Sequence, residues 1–175
     1  MRRRRAFRER RNSWQNARAM EHRYDALCFD LFGTLTDDRG RAMDGALDLL
    51  AGVRDARWAI VTSAPRAVAE AILAAAGLPL PAVLVTGDDV ERSKPDPACY
   101  AKAVAHLGVA PERALAIEDS IQGLAAAREA GLDTIVILRG ARIGSVRDAV
   151  YAVERIADVQ LRSATDGGAI LRWGD

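Results

Sequence analysis

The chain has 175 residues, half of them apolar but only 5% aromatic, with a formal net charge of +1. That length suits one domain with a real core rather than two, and no apolar run approaches the roughly 20 residues of a membrane span. The charge is unevenly placed: residues 1–24 carry nine arginines against Glu9 and Glu21, a net +7, and the rest of the chain carries a net −6. A basic arm over residues 1–23 is therefore expected ahead of a domain over residues 24–175. The arm lacks the apolar stretch of a secretory signal. Cys28 and Cys99 lie far apart without CxxC spacing and read as reduced thiols. Together these features point to a cytoplasmic protein with no membrane partner. The arginines admit a tether to nucleic acid or another anionic surface, but the composition reads more simply as a disordered extension.

In chain order, Ala26–Phe32 reads as a buried strand. "MDGALDLLAGVRDA" reads as a helix with Leu47, Leu50 and Val53 on one face. "RWAIVTS" is a second strand, followed by the helix "PRAVAEAILAAAG", with Pro65 near its first turn and Gly77 past its last. "AVLVTGDD" is a third strand, and "DPACYAKAVAHLG" a helix that closes on Gly108. "RALAIED" is a fourth strand, "SIQGLAAAREAG" a helix opened by Ser120, and "DTIVIL" a fifth strand. Beyond Ala141, "SVRDAVYAVERIA" has a helical pattern, "ADVQLRS" could add an edge strand, and "TDGGAILRWGD" could close a hairpin. Strands separated by single helices predict parallel β-α-β crossovers. The expected fold is α/β: a single doubly wound, mostly parallel, Rossmann-like sheet flanked by helices.

In such sheets chemistry collects beyond the carboxyl ends of the strands. Asp30 stands there after the first strand, Thr62 and Ser63 after the second, Lys94 between the third and its helix, and Glu118 and Asp119 after the fourth. Three carboxylates on one rim would repel one another. The Lys94 ammonium and a divalent cation would balance them, and hard oxygen ligands suit Mg²⁺. A phosphate could then sit between the metal, Lys94, the Thr62 hydroxyl and backbone N–H groups near Gly33 and Ser63, with Asp30 as nucleophile. Taken singly, each residue has a plainer account: Asp30 as a turn acid, Thr62 or Ser63 as a helix cap, Lys94 as a surface lysine, Glu118 and Asp119 as a loop pair. Four consecutive strand ends carrying this set favour a site.

The segments "FDLFGTLTD", "AIVTSA", "SKPDP" and "AIEDS" resemble, in order, the four motifs of the haloacid dehalogenase superfamily, over Tyr24 to about Leu138. The wording around them is closest to the branch acting on sugar and polyol phosphates. The resemblance implies that Asp30 forms an aspartyl-phosphate and that the Phe32 backbone carbonyl helps to bind Mg²⁺. Thr62 and Lys94 would hold the phosphoryl group, and Asp119 would ligate the metal with Glu118 beside it. Phosphatases of this superfamily usually have an acid/base aspartate where Phe32 stands, so a weak enzyme, or one restricted to good leaving groups, is expected. Asp37 and Asp38 are the nearby acids that could substitute.

Relatives of the branch that this chain resembles insert a helical cap domain after the first motif. Here Asp38–Ala42 bridges that interval with a bare loop, so an open, capless site is expected. The loss of a lid argues for an exposed phosphoryl group on a larger substrate, cover from a second copy in a homo-oligomer, or decayed activity; the resemblance itself implies a phosphorylated small molecule. The other classes are a dehalogenase-like hydrolase, for which Phe32 speaks, and a non-catalytic binding protein using the basic arm.

Overall fold

The computed structural model describes residues 20–140, 149 and 151–173. Six strands make a fully parallel sheet: β2 (Ala26–Phe29), β3 (Trp58–Val61), β4 (Val83–Val85), β5 (Ala114–Glu118), β6 (Asp133–Ile137) and β7 (Tyr151–Val153). Their spatial order is β4-β3-β2-β5-β6-β7. Between them run α1 (Ala46–Gly52), α2 (Arg66–Ala75), α3 (Ala98–Leu107) and α4 (Ile121–Glu129). The chain winds outward from β2 to β4, returns to lay β5 beside β2, and winds outward again. The winding reverses between β2 and β5, and the crevice beyond their carboxyl ends is where this architecture gathers ligands.

Alternate residues of a strand face opposite sides of a sheet, and the two sides here differ in size. Leu27, Phe29, Ile60, Leu115, Ile117, Ile135 and Ile137 fill one side against Leu49, Leu50 and Val53 of the α1 segment and Ala69 and Leu73 of α2. Ala26, Cys28, Ala59, Ala114 and Ala116 line the other, where small residues let α3 and α4 pack close with Tyr100, Ala103, Ala126 and Ala127. The polar end of Tyr100 is thereby carried into the protein beside the sheet.

A second, antiparallel sheet has the order β1-β9-β8, from β1 (Met20–Tyr24), β8 (Gln160–Ser163) and β9 (Ala169–Trp173). The tail closes the expected hairpin, and β8 is the expected strand, at the edge of this second sheet rather than of the parallel one. Its apolar residues Leu161, Ala169 and Leu171 extend the larger core. Residues 20–23, which charge alone places in the arm, belong to β1. Main-chain pairing with β9 holds them there, and Arg162 reaches Glu21 at 3.4 Å. Residues 1–19 lie outside the described residues.

Four local expectations need correction. The segment "SVRDAVYAVERIA" is not helical where it is described: Tyr151–Val153 is a strand paired in parallel with β6, and Ile156–Asp158 is a single 3₁₀ turn. Tyr151 and Val153 alternate buried positions around Ala152, a strand pattern that its Ala and charged residues obscured. Residues 141–148 and 150 of that region lie outside the described residues. The first helix buries Ala46, Leu49 and Leu50, with Val53 just beyond it, the i, i+3, i+4, i+7 stripe of one face; Leu47 lies off that stripe and is 50% exposed. The first strand ends at Phe29 rather than Phe32. Finally, α2 is not capped by Thr62 or Ser63. Pro65 occupies its N-cap position, and the Arg66 N–H instead donates to Asp88 across the β4 loop at 2.8 Å. Among the described residues no helix is long and apolar enough to cross a membrane.

Candidate active site

Asp30 follows β2 directly, and its N–H still donates to the Ile117 carbonyl of β5 at 3.0 Å, so the sheet sets where its carboxyl group begins. Lys94 comes from the loop before α3. Its ammonium uses three donors on three strand ends: Asp30 Oδ1 at 2.6 Å, Glu118 Oε1 at 2.7 Å and the Val61 carbonyl at 2.9 Å. The side chain is 6% exposed, which rules out an ordinary surface lysine.

Glu118, the last residue of β5, is fully buried and fully bonded. Its Oε1 also accepts from the Tyr100 hydroxyl at 2.7 Å, and Oε2 accepts from the Ser120 hydroxyl at 3.1 Å and the Asp119 N–H at 3.2 Å. Ser120 is the expected cap of α4, accepting from the Gly123 N–H at 3.0 Å. Gly123 must lack a side chain, since a Cβ there would lie 1.9 Å from the Glu118 carboxyl group. Gly33 is constrained alike: φ is +86°, and a Cβ would lie 1.8 Å from Asp119 Oδ2.

Two groups remain less satisfied. Asp30 Oδ2 is buried with no hydrogen-bond partner among the described residues. Asp119 meets the Arg139 guanidinium at 3.5 Å, an ion pair at the long end of hydrogen-bond distance. One oxygen from each of Asp30, Glu118 and Asp119 lies within 4.8 Å of the others, a set able to hold a metal ion. Burial pushes the Asp30 carboxyl up to about 7; Lys94 pulls it down and Glu118 pushes it up. Burial and Glu118 likewise raise Asp119, against Arg139. Burial alone would lower the Lys94 ammonium, but Asp30 and Glu118 outweigh it, and the net shift is upward.

Thr62, 2% exposed, follows β3. Its Oγ accepts from the Ala64 N–H at 3.2 Å, which leaves its own O–H to donate. Ser63 is exposed and accepts from Ser93 Oγ at 2.7 Å, tying the loop after β3 to the loop that carries Lys94. Phe32 is half-buried against the larger core, in a small turn structure closed by bridges from Phe32 to Thr36 and from Thr36 to Ala42. Within it, Asp37 accepts from the N–H groups of Arg39 and Arg41, each at 2.9 Å, and from Arg41 Nε at 2.8 Å. These bonds hold its carboxyl below the usual range, so Asp37 is occupied as a loop brace. Residues 30–45 join β2 to α1 without an intervening helix.

Asp30, Lys94, Glu118 and Asp119 thus meet as their strand-end positions predict, with Gly33 against Asp119. Tyr100 and Arg139 were not foreseen. Tyr100 is the hydroxyl-bearing residue of a helix facing an alanine-rich sheet surface, which was a usable signal. Arg139 stands one residue past the last strand motif and offered none.

A carboxylate after the first strand, a buried lysine braced on three strand ends and an acid pair after the returning strand define a hydrolase of the haloacid dehalogenase type. Residues 37–131 match the family described as haloacid dehalogenase-like hydrolase, and the chain belongs to that family. Over 158 residues it is 36% identical to the validoxylamine A 7'-phosphate phosphatase of Streptomyces hygroscopicus subsp. limoneus, covering 87% of this chain and 68% of that protein. Over 133 residues it is 32% identical to hexitol phosphatase A of Escherichia coli (strain K12), covering 75% of this chain but only 62% of that one. The chain therefore spans about two thirds of the length of these curated relatives. The crystal structure of CbbY from Rhodobacter sphaeroides in complex with phosphate shares the fold, with a TM-score of 0.67 at 23% identity over 77% of this chain and 96% of that one.

Proposed function

We propose that this chain is a Mg²⁺-dependent phosphohydrolase that works through an aspartyl-phosphate on Asp30, in an open site without a cap. The supporting observation is the asymmetry of Asp30: Lys94 holds Oδ1 at 2.6 Å, while Oδ2 is buried and unpartnered beside two further carboxylates. A hard dication fits that donor set, since three acids face one fully committed ammonium and one more distant guanidinium and offer only oxygen ligands. Asp30, Asp119 and the Phe32 carbonyl would hold Mg²⁺, with Glu118 behind them. Once bound, it would neutralise the acids and draw charge from a phosphoryl oxygen.

An Asp30 oxygen attacks phosphorus, and the bond from phosphorus to the leaving oxygen breaks. Lys94, Thr62 and the backbone around Gly33 and Ser63 hold the phosphoryl oxygens as charge shifts onto the leaving group. Water then attacks the phosphorus of the aspartyl-phosphate, releasing inorganic phosphate and restoring Asp30. Phe32 cannot lend a proton to the departing oxygen. The substrates are accordingly those that leave as weak bases, aryl and acyl phosphates above all. The phosphatases among its relatives support phosphorylated small molecules as the class.

Phe32 also favours a dehalogenase-like reading, because a departing halide needs no proton. Against it stand three clustered acids, which would repel a haloacid carboxylate unless a cation were present. Hydrolysis of p-nitrophenyl phosphate and acetyl phosphate, measured with and without Mg²⁺, tests the proposal. Turnover should require Mg²⁺ and vanish in Asp30→Ala. An active Asp30→Ala variant, or halide release from 2-chloropropionate without Mg²⁺, would overturn it.

A further inference from the structure

Arg139 has a position that the proposed chemistry leaves unused. It follows β6 at the same carboxyl-end rim as Asp30 and Asp119, and its backbone lies in the left-handed region, with φ 47°. Side chains other than glycine seldom adopt that conformation. Two bonds to Glu154 hold it: the Arg139 N–H donates to the Glu154 carbonyl at 3.2 Å, and the Gly140 N–H to the Glu154 carboxylate at 3.2 Å. The guanidinium is thereby aimed back over the site. Its Nη1 lies 3.5 Å from Asp119 Oδ2 and 3.0 Å from where a Cβ on Gly33 would stand, next to the residue that lacks an acid.

We propose that Arg139 is a phosphoryl-contacting residue: it balances Asp119 when no cation is bound, and turns onto the substrate's phosphoryl or leaving oxygens once a cation takes that carboxylate. The inference rests on the phosphohydrolase reading. Its pair with Asp119 is long and its side chain is 38% exposed, so the guanidinium is free to exchange partners. Asp119 belongs to the carboxylate cluster that would hold a cation, so a phosphoryl group bound against that cluster would stand within reach of the guanidinium, whose Nη1 is already 3.5 Å from Asp119 Oδ2. Arginine cannot act as the missing acid, since it does not give up its proton in this range. It can stabilise negative charge on a leaving oxygen, as arginines do in other phosphoryl transfers. A site open on its outer side would draw that contact from the core of the fold instead of a lid.

Arg139→Gly is the decisive variant, because it removes the guanidinium and relieves the left-handed backbone together. Binding of Mg²⁺ alone, and of inorganic phosphate in saturating Mg²⁺, would be measured by calorimetry beside the melting temperature. Arg139→Gly should weaken phosphate binding about tenfold or more, as expected for a charge-assisted contact, without weakening Mg²⁺ binding or lowering the melting temperature. Arg139→Lys should recover part of the phosphate affinity. Unchanged phosphate affinity in Arg139→Gly overturns the proposal, as does a loss matched by an equal loss of Mg²⁺ affinity, which would show that Arg139 only positions Asp119. Wild-type protein that binds neither Mg²⁺ nor phosphate would sink the phosphohydrolase reading and this inference with it.

Discussion

The Tyr100 hydroxyl donates to Glu118 Oε1 at 2.7 Å, and the Tyr100 ring lies under Lys94, with the ammonium 5.2 Å from its centroid. One side chain of α3 thus sets both an acid and a cation of the site. Burial, followed by the charges of Glu118 and Asp30, raises the phenol well above its ordinary value, so it stays a donor. Tyr100→Phe keeps the ring and deletes the donor. A hydrogen bond to a buried charge is worth about 1.5–3 kcal/mol, and urea denaturation should show a loss of that order. A midpoint equal to wild type would mean that Glu118 finds a replacement donor.

Lys94 is the ammonium that compensates Asp30 and Glu118. Lys94→Met should abolish phosphatase turnover. It should also destabilise the protein by about 3–5 kcal/mol at neutral pH, the cost of stranding buried charge. Because the folded-state pKa of Lys94 is raised, its contribution is intact below the unfolded value and fades only as pH rises through the folded one. Between pH 5 and 8 the pH dependence of the defect therefore comes from Asp30, whose carboxyl is raised to about 7. The difference in melting temperature from wild type should shrink toward pH 5, where Asp30 takes up a proton, and a difference constant over that range would contradict this account.

Although it is paired with Lys94, Asp30 titrates the opposite way from an exposed salt-bridged carboxylate, because burial outweighs the pairing. Its pKa is raised to about 7, so its stabilising contribution is present below the unfolded value near 3.8 and is lost as pH rises through about 7. Protons and cations compete for the same oxygen. Mg²⁺ affinity should rise from pH 6 to pH 8, and the stabilisation by added Mg²⁺ should grow with it. In Asp30→Asn both trends should flatten. Calorimetric titrations at three pH values would suffice, and a wild-type affinity independent of pH would refute the expectation.

Phe32 restricts the leaving group. General acid help is worth roughly 10²–10⁴-fold, and an alkyl phosphate, which departs as an alkoxide, depends on it far more than an aryl or acyl phosphate does. Wild type should therefore cleave p-nitrophenyl phosphate well ahead of an alkyl phosphate, and Phe32→Asp should raise alkyl turnover selectively. Equal wild-type rates on the two classes, with chemistry limiting both, would show that another group supplies the proton. With Asp37 committed to Arg39 and Arg41, Asp38 is the acid to mutate next.

Much of the site could be read from the chain because it depends on local pattern. Apolar runs ending in Asp30, Thr62 and Glu118–Asp119, with helices between them, make a parallel sheet, and a parallel sheet puts all its carboxyl ends on one rim. Only the tertiary structure could decide the rest. Strand pairing is non-local, so nothing within residues 20–24 reveals that they pair with residues 169–173, and nothing within Tyr151–Val153 shows that β6 will recruit it as a sheet edge. The same holds for the polar partners. The hydroxyl of Tyr100 and the guanidinium of Arg139 acquire roles only because α3 and the end of β6 bring them against Glu118 and Asp119, 18 and 20 residues away along the chain. Residue order determined which groups reach the rim, and packing determined how each was satisfied there: Glu118 completely, Asp30 through one oxygen, Asp119 by an ion pair long enough to exchange.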